Sequence, residues 1–538
     1  MKSSNTITAQ WLVTGIALAA LFIPVALIEA DVLHHTSGIF MYPLDDTFIH
    51  LSVAKNVALN GTWGINRSEF ASASSSVFYT ILLATCFRIF SVSVIIPFII
   101  NVVAGLVLII AIQRWLQKQN ISAIAQLVIL LCIIFFTPLP TLIISGMEHT
   151  LQCLFSFLFI YKFCEWIEKK DTDTQNKNLS WSIFLLGFLV TAIRYEGIFL
   201  IAIVCLILLF NKKIGTAFLL GAISILPIVI FGIYSLNKGS YFFPNSVLLK
   251  SQSTPLSFSG IATLVSNILV QKLTINNTGI TALAAQRLLI ILPLVYLVFI
   301  KQLDQKKSYK IIVTVLICCT ILHLSFAATG WFYRYEAYLI LCATPVISVI
   351  IYKYWNEVFI EIKSVCLIVA VLFFSLAFPL ILRSTAAFSK ASRACINIYQ
   401  QQYQMAQFVN EYYNNNTVAA NDIGAISYSS NAHILDLWGL GNIDVARSKK
   451  GNYYTPDFLD SFSKKNNTKI AIVYDSWFDS ALLKRWQKVA TWKIQDNVIC
   501  GDDTVSFYET DGESTTQLKN NLLDFQKKLP QSIEVKYY

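Results

Sequence analysis

Eleven apolar runs recur along this chain, at 11–30, 94–115, 121–137, 149–166, 180–194, 197–211, 214–234, 284–300, 310–328, 338–352 and 363–382. Each reaches or approaches the length of about 17–25 residues with which a helix crosses the hydrocarbon of a bilayer. With 538 residues, 55% of them hydrophobic and 13% charged, the chain is too apolar for a soluble protein and too long for a single span. The expected class is a polytopic α-helical membrane protein of about 11 spans. Lys and Arg gather in short polar breaks between the runs, as in Arg114 to Lys118 and Lys212–Lys213, which marks cytoplasmic loops. The formal charge of +10 therefore reports topology, and nucleic acid is not an expected partner. The run after Lys2, Trp11 to Ala30, exceeds a signal h-region and is expected to stay as an anchor.

Val77 to Phe90 contains Arg88 and is short for a span, so it is a short crossing or a half-buried helix. If the basic breaks at 113–119, 162–177, 212–213, 301–310 and 353–363 are all cytoplasmic, 77–117 crosses a net odd number of times, most simply once. The N-terminus then lies inside. Residues 31–76, 138–148, 235–283, 329–337 and everything after Arg383 lie outside.

The least membrane-like part of the first hundred residues is Tyr42 to Tyr79. Asp45 and Asp46 follow Pro43 and open a helical pattern carried by Phe48, Leu51, Val53, Val57 and Leu59. A carboxylate at a helix start is stabilised by the dipole and by unpaired N–H groups. Adjacent side chains do not share a face, so capping accounts for one carboxylate and leaves the other as a base or metal ligand. Glu148, Arg194, Glu196 and Arg334 fall at the ends of apolar runs, where a charge is costly unless it pairs or lines a wet cavity. They are site candidates, with a structural ion pair as the plainer alternative.

From about Ser384 the composition turns polar, and strand-like and helix-like patterns alternate for an ordinary domain length. The expected division is 1–383 for the membrane part, with its first outer loop at 31–76, and 384–538 for a soluble α/β domain. Strands are expected at Val418 to Asn421, His433 to Leu437, Lys469 to Tyr474 and Val505 to Tyr508. Helices are expected at Ala391 to Tyr413, Ser480 to Val489 and Thr516 to Lys528. The eleven cysteines show no C-x-x-C spacing, and only Cys395 and Cys500 fall in the polar part. In an oxidising compartment those two are candidates for a disulfide, with two unrelated thiols as the alternative.

Taken in order, these motifs resemble the GT-C glycosyltransferases, multi-span enzymes that use polyprenyl-phosphate sugars, and most closely the bacterial arabinofuranosyltransferase-like branch. The matching residues are Pro43-Leu44-Asp45-Asp46-Thr47-Phe48-Ile49 with Asn56, Gly61 and Asn66, Ser74 to Tyr79, Ser145-Gly146-Met147-Glu148, and Arg194-Tyr195-Glu196-Gly197. Further matches are Gly239 with Pro244-Asn245 and Lys250, Trp331 with Arg334, Asn421-Asp422-Ile423-Gly424-Ala425-Ile426, and Asp436-Leu437-Trp438-Gly439-Leu440. The family usually has Pro where Tyr195 stands and Arg-Tyr where Ala54-Lys55 stands.

The resemblance implies an inverting displacement in which an acceptor hydroxyl attacks the anomeric carbon and a lipid phosphate leaves. Such a step needs a carboxylate at the hydroxyl proton and cations at the departing phosphate. Asp45 is the expected base, and Asp46 orients the acceptor or holds a divalent cation, the one possible cofactor. Arg334, Lys250, Arg194, Lys55 and His50 are the donor-phosphate candidates, because arginine grips phosphate bidentately and lysine supplies a point charge. Glu148, Glu196, Asn245 and Trp331 are the candidates for an acceptor or sugar pocket. The expected partners are a polyprenyl-phosphate-linked sugar, the lipid bilayer and a periplasmic acceptor, which is a pilin, a glycan or a lipid. The expected location is the bacterial inner membrane, with the site facing the periplasm. A transporter or flippase of lipid-linked sugars, or an envelope assembly protein without chemistry, stay open as alternatives.

Overall fold

The computed structural model describes residues 2–172, 179–250, 284–359, 363–511 and 515–538. These fall into two compact units that do not follow chain order. Met1–Leu27, Phe98–Val229 and Ser251–Ser389 make up one, and Ile28–Pro97, Ile230–Lys250 and Lys390–Tyr538 the other. Residues 31–76 are thereby grouped with the polar C-terminal third.

The first unit is helical, as its apolar runs require. Each of the eleven runs falls on a helix, from Lys2–His35 to Lys363–Ile398. Among the described residues, six helices are long and apolar enough to cross a membrane: Thr8–His35, Ile96–Lys118, His149–Glu168, Ile214–Asn237, Lys307–Phe326 and Ala337–Val358. Others are shorter, such as Ala123–Phe136, Trp181–Ile193 and Gly197–Phe210. At 1.5 Å per residue a 14-residue helix rises about 21 Å, less than the hydrocarbon thickness of about 30 Å. Caps set some of these lengths: the Ser122 hydroxyl accepts from the Ala125 N–H at 3.4 Å and opens the helix that follows.

In the second unit the loop helix, Asp45–Asn60, is buried nearly all round through Thr47 to Ala54. It stops at Gly61, whose φ of 67° puts it in the left-handed region and lets its N–H return to the Val57 carbonyl at 3.2 Å. The C-terminal part folds on a six-stranded sheet of order β2-β1-β3-β5-β4-β6, where β1 is Thr417–Ala420, β2 His433–Asp436, β3 Thr468–Val473, β4 Gln487–Lys493, β5 Thr504–Glu509 and β6 Glu534–Tyr537. Strands β2, β1 and β3 run parallel and the other pairings are antiparallel. A short helix, Gly424–Ser429, links β1 to β2 in a βαβ unit.

The expected helix over Ser480 to Val489 is corrected: only Ser480–Leu483 is helical, and β4 begins at Gln487. Val489, Thr491 and Trp492 are strand formers, and the Trp492 ring is buried 4.3 Å from that of Phe507 and 5.7 Å from that of Phe525. The edge strand β6 was not expected. Its alternating Glu534 and Lys536 give it no apolar run to notice. The expected helix over Ala391 to Tyr413 is broken by a π-turn at Tyr399–Tyr403 before Gln404–Tyr412.

Candidate functional site

Leu44, with φ −140° and ψ 132°, leads into the loop helix in extended conformation and caps it with no side chain. Neither aspartate is the cap of its own helix. Asp45 turns to the short helix instead: its Oδ2 accepts from the Gly424 N–H at 2.6 Å and its Oδ1 from the Ala425 N–H at 2.8 Å. Position 424 must be glycine for this approach, since a Cβ there would stand 2.1 Å from the Asp45 carbonyl oxygen. At the other end of the short helix the Lys55 ammonium donates to the Tyr428 carbonyl at 2.8 Å and lies 5.5 Å from that ring's centre. The loop helix thus sets a carboxyl group at the positive end of the short helix and a cation at its negative end, and the dipole favours the ionised form of the first and the charge of the second. Asn66 adds a two-way tie to Ile434 of β2, accepting its N–H at 2.9 Å and donating to its carbonyl at 3.1 Å.

The Asp45 carboxylate therefore stands at the carboxyl end of β1. There the chain leaves β1 towards β2 while β3 flanks the other side, the switch point where open α/β sheets bind ligands. Asp422 occupies the same turn, and its Oδ2 accepts from Gln402 Nε2 at 2.8 Å and lies 2.7 Å from the Tyr474 hydroxyl. That hydroxyl has one proton to share between Asp422 and Gln401 Oε1, which is 2.5 Å away. Gln401 and Gln402 sit on the π-turn, whose extra residue re-aims them, and π-turns gather at functional sites. Burial first, then the neighbouring charges of Asp422 and Asp46, push the Asp45 carboxyl up to about 8, against the two backbone N–H bonds that pull it down. Burial likewise raises the Tyr474 phenol and the Cys500 thiol well above their usual ranges, with Asp422 adding to both.

Asp46 is half-buried in the first turn of the loop helix. Among the described residues no group of three His, Cys, Asp or Glu side chains is placed to hold a metal ion. His50 is buried among hydroxyls, with Nδ1 3.1 Å from Ser74 Oγ and Nε2 3.4 Å from Ser75 Oγ, and its ring meets Tyr79 edge-on at 5.6 Å. Asn245 is buried at the start of the helix Asn245–Lys250, its N–H on the Ser72 carbonyl at 3.0 Å. Lys250 ends that helix, and its side chain lies outside the described residues.

Four other predicted residues meet within the helical unit. Arg194 donates from Nη1 to Glu148 at 2.8 Å, from Nη2 to Glu196 Oε1 at 2.6 Å and from Nε to Glu196 Oε2 at 3.1 Å. Its guanidinium is thus committed to two carboxylates. The Tyr335 ring lies 5.6 Å from the Arg194 guanidinium, 5.0 Å from that of Arg334 and 5.9 Å from the His149 ring. Beside it Arg383 and Glu336 form a fully buried pair at 3.0 Å, and Glu336 also accepts the Gly330 N–H at 2.9 Å. Phe332 and Tyr333 between them hold left-handed backbones, φ 48° and 61°. Each costs on the order of 1 kcal/mol or more, and such strain gathers at functional loops. Trp331 is half exposed on that loop.

Of the two alternatives for Cys395 and Cys500, the structure has the one with separate thiols. Cys395 is fully buried, and Cys500 Sγ donates to Gln402 Oε1 at 3.4 Å, which turns it into the hydrogen-bonded group around Asp422. Sequence reasoning did not single out Asp422, Gln402, Tyr474, Tyr335, Glu336 or Arg383. Only Asp422 carried a signal, as part of the motif that follows β1.

Residues 396–508 match a family described as a domain of unknown function (DUF8728). No curated protein matches the chain. Among solved structures, ArnT from Cupriavidus metallidurans bound to undecaprenyl phosphate is similar with a TM-score of 0.50 at 12% identity, covering 93% of this chain and 98% of that one. The apo oligosaccharyltransferase of Archaeoglobus fulgidus gives 0.54 at 10% identity over 98% of this chain and 76% of that one. The archaeal oligosaccharyltransferase AglB from Archaeoglobus fulgidus, in complex with an inhibitory peptide and a dolichol-phosphate, gives 0.51 at 9% identity over 99% of this chain and 76% of that one. At these identities the likeness bears on architecture alone: this chain shares the overall fold of these structures.

Proposed function

We propose that the chain is a membrane glycosyltransferase that moves a sugar from a polyprenyl-phosphate donor to an acceptor hydroxyl, with Asp45 as general base. The acceptor oxygen attacks the anomeric carbon, the bond from that carbon to the phosphate oxygen breaks, the hydroxyl proton passes to Asp45, and polyprenyl phosphate leaves. The observation that carries this reading is the Asp45 carboxylate, held by two N–H groups beside Asp422 at the sheet's switch point. Each of its oxygens accepts one N–H and keeps a second lone pair for a proton. Its raised proton affinity suits a base working near neutral pH. The lipid phosphates in the neighbouring ArnT and AglB structures support the donor class. Arabinofuranose is the sugar the sequence resemblance favours, and the acceptor is assigned to the periplasmic side of the bacterial inner membrane.

The test is transfer of radiolabelled sugar from a purified polyprenyl-phosphate donor by the wild type and by Asp45→Asn. Loss of a general base costs about 10²–10⁴-fold in rate. Near wild-type turnover in Asp45→Asn, with the protein folded, removes Asp45 from the reaction. No transfer by the wild type from any such donor returns the chain to the flippase or assembly alternatives.

A further inference from the structure

Ten residues along the loop helix from Asp45, about 15 Å at its rise per residue, Lys55 reaches a separate cavity of the same unit. It holds about 140 Å³ and is lined by Lys55, Asn66, Arg67, Ser430, Asn431 and His433, among others. At about 30 Å³ per water that is room for four or five waters, and so for a tetrahedral oxyanion.

Two cations, the half-buried Lys55 and the exposed Arg67, line this cavity. Lys55 spends one proton on the Tyr428 carbonyl, and Arg67 gives one N–H to the side-chain oxygen of Asn431. Among the described residues neither forms an ion pair with a carboxylate. Glu69 pairs instead with His433 at 3.0 Å and with Asn66 at 3.4 Å. Burial first, and then the charge of Arg67, lower the proton affinity of the half-buried Lys55 ammonium. Lys55 retains two unused protons and Arg67 four unused N–H groups. An occupant that relieves the repulsion must be anionic and accept from a fork and a point donor at once, which phosphate oxygens do.

We propose that this cavity binds a phosphate group through Lys55 and Arg67, as a site separate from Asp45. The phosphate is either a soluble one or the headgroup of an anionic lipid. The proposal does not depend on the transfer reading, because binding is measured without turnover.

The full chain, purified in a neutral detergent, is titrated calorimetrically with inorganic phosphate and, separately, with dihexanoyl-phosphatidic acid. Three variants are compared: Arg67→Gln, Lys55→Gln with Arg67→Gln, and Lys465→Gln, an exposed lysine outside the cavity. Lys55 also fastens the short helix, so Arg67→Gln alone is the deciding variant. Saturable binding by the wild type and Lys465→Gln, weakened at least about tenfold in Arg67→Gln, supports the site. Inorganic phosphate binding this way identifies a soluble ligand, and phosphatidic acid alone doing so identifies a headgroup. If neither probe binds the wild type, or both bind Arg67→Gln as tightly as the wild type, the site does not exist.

Discussion

Asp45 is asked to do two things with one carboxylate, to fasten the short helix and to take a proton, and pH separates them. Its carboxyl is pushed up to about 8, so in the folded protein it is mostly protonated below that value and ionised above it. A base must be ionised to work. The rate kcat/KM of sugar transfer is therefore expected to rise with pH up to about 8 and to fall below it by about tenfold per unit. Removing the neighbouring charge with Asp422→Asn lowers the proton affinity of Asp45 and moves this limb to lower pH. A limb that stays in place in Asp422→Asn, or a flat profile between pH 6 and 8, would show that another group limits the reaction. That two carboxylates open a helix between apolar runs was legible in the sequence. That Asp45 would serve a helix other than its own was not. Gly424 and Asp422 lie far along the chain, and no periodicity or propensity reports a contact at that separation.

At the scale of elements, the pairing of the loop helix with the short helix rests on a glycine. In Gly424→Ala the new Cβ would meet the Asp45 carbonyl oxygen at 2.1 Å and its carboxyl carbon at 2.8 Å, so the two helices must separate. Overpacking of this kind costs typically about 1–3 kcal/mol. Amide exchange of Gly424–Ser429 and Asp45–Asn60 is expected to speed up on that scale, about 5- to 150-fold, while β4 and β5 keep their protection. Unchanged exchange in both helices would mean that the Asp45 contacts do not hold them. The elements themselves divide by how much their burial imprints on sequence. The apolar runs and the parallel strands β1, β2 and β3 were legible because burial of most of their residues demands short clusters of hydrophobic side chains. β4 reads as a helix continuation until Trp492 is known to face Phe507 and Phe525, and the π-turn at Tyr399–Tyr403 has no composition of its own.

For the whole molecule, the question is which side of the membrane the C-terminal unit occupies, and Cys395 and Cys500 bear on it only indirectly. Both are free, so thiol labelling after denaturation is expected to modify both fully without reductant, and labelling of either only after reduction would restore a disulfide. Free thiols are compatible with an oxidising compartment here because Cys395 is fully buried and Cys500, its thiol pushed well above the usual range, has little thiolate to react. Topology is decided by charge instead. The basic breaks at 212–213, 301–310 and 353–363 would all have to move outside for residues 390–538 to lie inside, against the bias that sets membrane orientation. A phosphatase fused after Tyr538 is therefore expected to be active, and a fluorescent protein that matures only in the cytoplasm, fused at the same place, to be dark. Ile28–Pro97 belongs to the same compact unit as Lys390–Tyr538, so a reporter inserted in the first outer loop must give the same answer as one at the C-terminus. The two insertions reporting opposite sides would break both the span count over 77–117 and the contact of Asp45 with Gly424. Both reporting the cytoplasm would keep that contact and overturn the assignment of the reaction to the periplasmic face.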